Sequence, residues 1–211
     1  MAAFGAAIAQ GCGIECDVRA SRDGVAMVFH DATLRRMTGV EAVLSDHDAE
    51  ALAGFALQDG GQIPRLAELL ALCGDNVPLL IEVKVKGRSV ASICAAVARD
   101  LGAYPHAPAA VMSFNPLVLR WFARHLPKTV RGIVVTEQEK HGWRGAIERG
   151  LALGVARPDF IACDIRDLPS SLSERIRRRG LPVLTWTVRT AEEHDRAAIH
   201  ADQIIFERPH D

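Results

Sequence analysis

The chain has 211 residues, 49% of them hydrophobic and 24% charged, which is enough length and apolar content to enclose one sizeable core and is not the composition of a disordered chain. A formal net charge of -1 gives no general electrostatic ground for nucleic acid or an anionic membrane surface as partner, so affinity for an anionic substrate would need a local site. No run of 18 apolar residues appears and the first ten residues carry no basic region, so neither a membrane span nor a secretion signal is visible and a cytoplasmic protein is expected.

In chain order, residues 1–10 open on Phe4 and Ile8, four apart on one helical face, with no capping residue ahead of them. Residues 14–18 read as a strand, 21–24 as a tight turn, and 25–29 as the returning limb of a hairpin. Residues 40–65, with Gly54, Gly60, Gly61 and Pro64, are expected to form a loop insertion over one mouth of the fold. From residue 66 onward the pattern alternates helices (66–73, 89–101, 116–125, 143–153, 169–179, 191–198) with short β-branched runs (79–85, 110–114, 130–135, 160–164, 183–188, 203–206). Asn115-Pro116 and Pro169-Ser170 suit helix starts, and Gly180 and Pro182 stop a helix before a strand. With the first limb of the hairpin, this rhythm counts seven parallel staves. The commonest closed solution has eight, so the sequence predicts one domain over 1–211, an α/β TIM-type (β/α) barrel with its first strand missing and a small insertion.

In Ile14-Glu-Cys-Asp-Val18 a period of two sends Glu15 and Asp17 to one face, about 7 Å apart by strand rise, and Ile14, Cys16 and Val18 to the other. Ile81-Glu-Val-Lys-Val85 repeats the scheme with Glu82 and Lys84. On pattern alone, an antiparallel strand with one wet face would read the same way. In a parallel barrel, however, the outer face packs on helices, and the charges must point inward, where uncompensated carboxylates are costly. Three converging carboxylates offer oxygen ligands to a hard divalent cation, Mg²⁺ or Ca²⁺, and Lys84 then serves as a point charge for a phosphate. His30, in Val28-Phe-His-Asp31, is the histidine adjacent to these acids in sequence. The other seven (His47, His106, His125, His141, His194, His200, His210) form no HxH or HExxH pair and are left as surface or core residues.

The five cysteines (Cys12, Cys16, Cys73, Cys94, Cys163) are odd in number, contain no CxxC and lie in apolar surroundings, which argues for buried reduced thiols and against sulfur ligation of a metal. Trp186 and Phe114 stand at strand ends, where core filling and substrate contact are both open readings. The basic run from Arg175 to Arg179 reads as a solvated helix end whose cations suit the dipole.

Taken together, Ile14 to Val18, Arg22-Asp-Gly-Val-Ala-Met-Val-Phe-His-Asp-Ala-Thr-Leu-Arg-Arg-Met-Thr-Gly39, Ile63-Pro-Arg-Leu-Ala-Glu-Leu-Leu70, Ile81-Glu-Val-Lys84 and Thr185-Trp-Thr-Val188 resemble, in order and over essentially the whole chain, the glycerophosphodiester phosphodiesterases. The resemblance implies metal-dependent hydrolysis of glycerophosphodiesters to glycerol 3-phosphate and an alcohol. It makes Glu15, Asp17 and Glu82 metal ligands, Lys84 a phosphate contact, His30 one of two catalytic histidines and Trp186 a lining of the glycerol side, and it matches 40–65 to the family insertion. It also implies a first strand with a His-Arg-Gly motif that this sequence does not contain. With one histidine of the pair absent, activity is expected to be weak or nil, since one general acid or base is worth about 10²- to 10⁴-fold. The expected partner is a small-molecule glycerophosphodiester, with homo-oligomerisation through bare edges at 14–18 and 203–206 as a second expectation. A non-catalytic binding or structural protein derived from the barrel is the alternative. Another metal-dependent barrel hydrolase, acting on a carbon-nitrogen bond, would want histidine ligands on the strands, and none is read there.

Overall fold

A computed structural model describes residues 1–138 and 142–207, so His141 and His210 lie outside the described residues. Helix α1 (Ala2–Ala9) has no side-chain N-cap and leads into β1 (Ile14–Ala20). The turn into β2 (Ala26–Val28) is tied by Ser21, whose Oγ accepts from Val25 N at 2.9 Å, and it needs Gly24, whose φ is 75°. There follow α2 (Arg35–Thr38), a 3₁₀ turn (Leu44–Asp46), α3 (Ala49–Ala53) and α4 (Leu66–Cys73), the last entered through a backbone N–H of Arg65 that donates to Glu68. Then come β3 (Leu79–Val83), α5 (Ala91–Ala103), β4 (Ala109–Ser113), α6 (Pro116–His125), β5 (Val130–Val135), α7 (Gly142–Ala156), β6 (Phe160–Asp164), α8 (Ser171–Arg178), β7 (Val183–Val188), α9 (Ala191–His200) and β8 (Gln203–Phe206).

The chain divides into two compact units, the first made of Met1–Met112 with Trp121–Thr129, the second of Ser113–Arg120 with Val130–Asp211. In the first, β1 lies between β2, antiparallel, and β3, parallel, and β3 continues in parallel to β4. The outer edge of β1, expected to be bare, carries β2 over Val18 to Ala20, and Phe29 N donates to Asp17 O just before them. The hairpin limb thus covers the upper end of that edge, from Asp17 onward. In the second unit β5, β6, β7 and β8 form a parallel ladder. Gly132 of β5 stands opposite Phe160, whose ring would lie 2.1 Å from a Cβ there, so a glycine is required for the two strands to approach.

The segment 40–65, expected to be a loop insertion over one mouth of the fold, has a core of its own. Leu44, Ala49, Leu52 and Ile63 are buried in one cluster with Met27 and Phe29 of the hairpin limb and with Leu34. Bridges Thr33 to Val43 and Met27 to Arg65 close it. The segment that carries His30 is therefore anchored by apolar burial on one side and by β1 on the other. Among the described residues no helix is long and apolar enough to cross a membrane.

Candidate active site

The alternation on β1 falls as the sequence demands: Ile14, Cys16 and Val18 are buried, and Glu15, Asp17 and Arg19 share the opposite face at intermediate exposure. Parallel pairing sets Asp17 beside Glu82 and Glu15 beside Leu80. One ligand oxygen from each of Glu15, Asp17 and Glu82 lies within 4.8 Å of the others. β3 ends at Val83, so Lys84 stands one residue past the strand, held in line by its backbone N–H donating to Val18 O at 2.9 Å. Its ammonium lies 3.1 Å from Asp17 Oδ1 and 2.7 Å from Glu82 Oε1. Read from sequence as a charge for phosphate, Lys84 is thus also a counter-ion within the acidic cluster, because three crowded carboxylates draw in the nearest cation.

One ammonium does not balance the cluster. Burial, reinforced by Asp17 and Glu82 and opposed by Lys84, pushes the Glu15 carboxyl from 4.5 up to about 8. Burial also raises Glu82, against the pull of Lys84. For Lys84, burial favours the neutral amine, but Glu82 and Asp17 outweigh it and raise its pKa. Glu82 Oε1 is fully enclosed, and the Lys84 ammonium at 2.7 Å is its partner. Three carboxylates that share one ammonium fit a hard divalent cation such as Mg²⁺ or Ca²⁺, which takes oxygen ligands.

His30 is reached through two bonds from β1: Phe29 N to Asp17 O at 2.9 Å, and Arg19 Nε to His30 O at 2.8 Å. Its Nδ1 lies 2.6 Å from Asp31 Oδ1, and Arg36 Nε donates to Asp31 Oδ2 at 2.6 Å. The Arg36 bond, and after it the His30 bond, hold Asp31 down to about 2 against its partial burial. An ionised Asp31 accepts hydrogen bonds and does not donate, which assigns the imidazole proton to Nδ1 and leaves Nε2 as the basic atom of a side chain 60% exposed. Sequence reasoning missed Arg19, Asp31 and Arg36 as parts of this arrangement. Arg19 was within reach, since it continues the period of two from Glu15 and Asp17; Arg36 was not, since its approach depends on the turn of α2.

Trp186 belongs to the second unit, where its Nε1 donates to Ala162 O at 3.1 Å and its ring meets Phe114 edge to face at 5.7 Å. Cys16, Cys73, Cys94 and Cys163 are buried free thiols, and Cys12 is half-buried. Arg175, Arg177 and Arg178 fall in the last turn of α8, as the dipole reading requires.

The model of the glycerophosphoryl diester phosphodiesterase family matches residues 1–210. A glycerophosphodiester phosphodiesterase of Caldanaerobacter subterraneus is 26% identical over 221 residues, covering 99% of this chain and 88% of that protein. Among solved structures, an Oleispira antarctica phosphodiesterase in complex with the product sn-glycerol-3-phosphate matches with a TM-score of 0.84 at 22% identity, over 97% of this chain and 85% of that one. The glycerophosphodiester phosphodiesterase of Thermotoga maritima matches with a TM-score of 0.76 at 24% identity, over 97% and 86%. These two likenesses establish the fold, an α/β fold of the (β/α)-barrel class.

Proposed function

The chain belongs to the glycerophosphoryl diester phosphodiesterase family, a family of hydrolases, and from that premise we propose that it cleaves glycerophosphodiesters to glycerol 3-phosphate and an alcohol at the charged face of β1 and β3. The observation that carries the reading is the convergence of Glu15, Asp17 and Glu82 within 4.8 Å beside the Lys84 ammonium, on a strand that also bonds the backbone of the His30 segment, a combination that a solvent-facing strand has no reason to assemble.

In this reading Glu15, Asp17 and Glu82 hold a divalent cation, Mg²⁺ or Ca²⁺, which when bound supplies charge neutralisation to a phosphodiester oxygen. Lys84 offers its ammonium to a second phosphate oxygen from the edge of the cluster. Asp31, fixed by Arg36, orients the His30 ring and stabilises it when charged, so that Nε2 takes or returns the proton of the attacking or departing hydroxyl. On the family resemblance, Trp186 is assigned to the glycerol side of the substrate.

The test is release of glycerol 3-phosphate from glycerophosphocholine in the presence of Mg²⁺, followed by phosphorus NMR over long incubation. Turnover is expected to disappear with a chelator and in His30→Ala. Turnover indifferent to both defeats the assignment.

A further inference from the structure

Next to the acidic cluster, within the first unit, lies a cavity of about 260 Å³. Arg19 and Lys84 border it at the ends of the strands, Ser45, Lys86 and Ser89 from the loops, and Ser92 from α5. Its lining contains three cations, three hydroxyls and six apolar residues, with no carboxylate and no aromatic ring. Lys84 is engaged by Asp17 and Glu82, and Arg19 gives its Nε to His30 O, which leaves the remaining N–H groups of its guanidinium fork. Lys86 is exposed and forms no ion pair among the described residues. Ser92 and Ile93 belong to the first turn of the 13-residue helix α5, which has neither a side-chain cap nor an acidic residue there, so the dipole adds to the positive potential.

Resting on the proposed function, we propose that this cavity is the subsite for the alcohol half of the diester, and that it selects alcohols bearing an additional negative charge, such as a second phosphate. Lys84 borders both the acidic cluster and the cavity, so a diester phosphate at its ammonium has one ester arm within reach of Lys86 and the serines. The volume is below the roughly 300–1,000 Å³ of drug-sized pockets, and with three cations and three hydroxyls set among apolar side chains it suits a short charged or hydroxylated group. A trimethylammonium group would meet like charge and none of the aromatic faces that bind such cations, so the lining discriminates by repulsion as well as by attraction.

The test compares glycerophosphoglycerol, the same compound with a terminal phosphate, and glycerophosphocholine, each titrated calorimetrically with Mg²⁺ present while products are followed in the same samples. Affinity, or kcat/KM where turnover is measurable, is expected to favour the phosphate-bearing diester about tenfold over its plain counterpart, with the choline diester weakest. The preference shrinks with added salt, and in Lys86→Ala/Ser89→Ala it falls to about one within the same variant, so a general loss of affinity cancels. Equal affinities, a choline preference, or a preference untouched by that double substitution overturns the subsite while leaving the hydrolase reading in place. Inorganic phosphate that binds as tightly as the phosphate-bearing diester reduces the cavity to an anion trap and overturns it as well. If none of the three diesters binds or is cleaved, the hydrolase reading fails and the subsite falls with it.

Discussion

Each unit encloses carboxylates, and the two treat them in opposite ways. In the second, Asp164 at the end of β6 is 2% exposed. Arg166 returns Nε and one terminal nitrogen to it at 2.9 and 2.5 Å, and its backbone N–H adds a further bond at 2.9 Å. Burial pushes that carboxyl upward, but the Arg166 bonds outweigh it and hold its pKa below the ordinary value. In the first unit Glu15, Asp17 and Glu82 share one ammonium, burial dominates, and Glu15 is carried up to about 8. The contrast separates a structural carboxylate, satisfied within two residues of chain, from a cluster whose charge the protein concentrates and does not neutralise. Local inconsistency of the second kind is what a ligand site looks like before its ligand is counted.

The largest effect that would sharpen this contrast is in pH. Glu15 keeps a proton in the fold that the unfolded chain has already released, and Glu82 is shifted in the same direction, so the metal-free protein loses stability as pH rises from about 4.5 toward the 8 of Glu15. Urea denaturation across that range should show the decline, and saturating Mg²⁺ should flatten it. Stability that rises over the same interval in the metal-free protein would break the comparison. Smaller is the expected cost of Asp164→Asn, about 1–3 kcal/mol of unfolding free energy, because the ionic half of the Arg166 bonds is lost while Arg166 itself stays wet. Smallest is Glu15→Gln at pH 5, within about 0.5 kcal/mol of the parent, since the carboxyl it replaces is already neutral there. The same substitution should remove much of the pH dependence.

The acids of the site were legible because a strand has a period of two: Glu15 with Asp17, and Glu82 with Lys84, declare a common face before any coordinates exist. What the sequence could not supply was register. That Asp17 stands opposite Glu82, and that Lys84 then reaches both carboxylates, depends on how two strands some 60 residues apart align. The apolar core inside the insertion could not be read from sequence for a related reason. Leu44, Leu52 and Ile63 show no period of their own and acquire a partner only when Met27 and Phe29 are folded beside them. The support of His30 by Asp31 and Arg36 likewise rests on a single helical turn too short to announce itself.

If the three carboxylates make one site for a divalent cation, calorimetric titration of the protein with Mg²⁺ near pH 7.5 registers it. One ion should bind per chain, with proton release visible as a buffer-dependent enthalpy because Glu15 must ionise, and Asp17→Asn should abolish the signal. An absence of binding, or binding of the same stoichiometry and proton count in Asp17→Asn, would contradict the account.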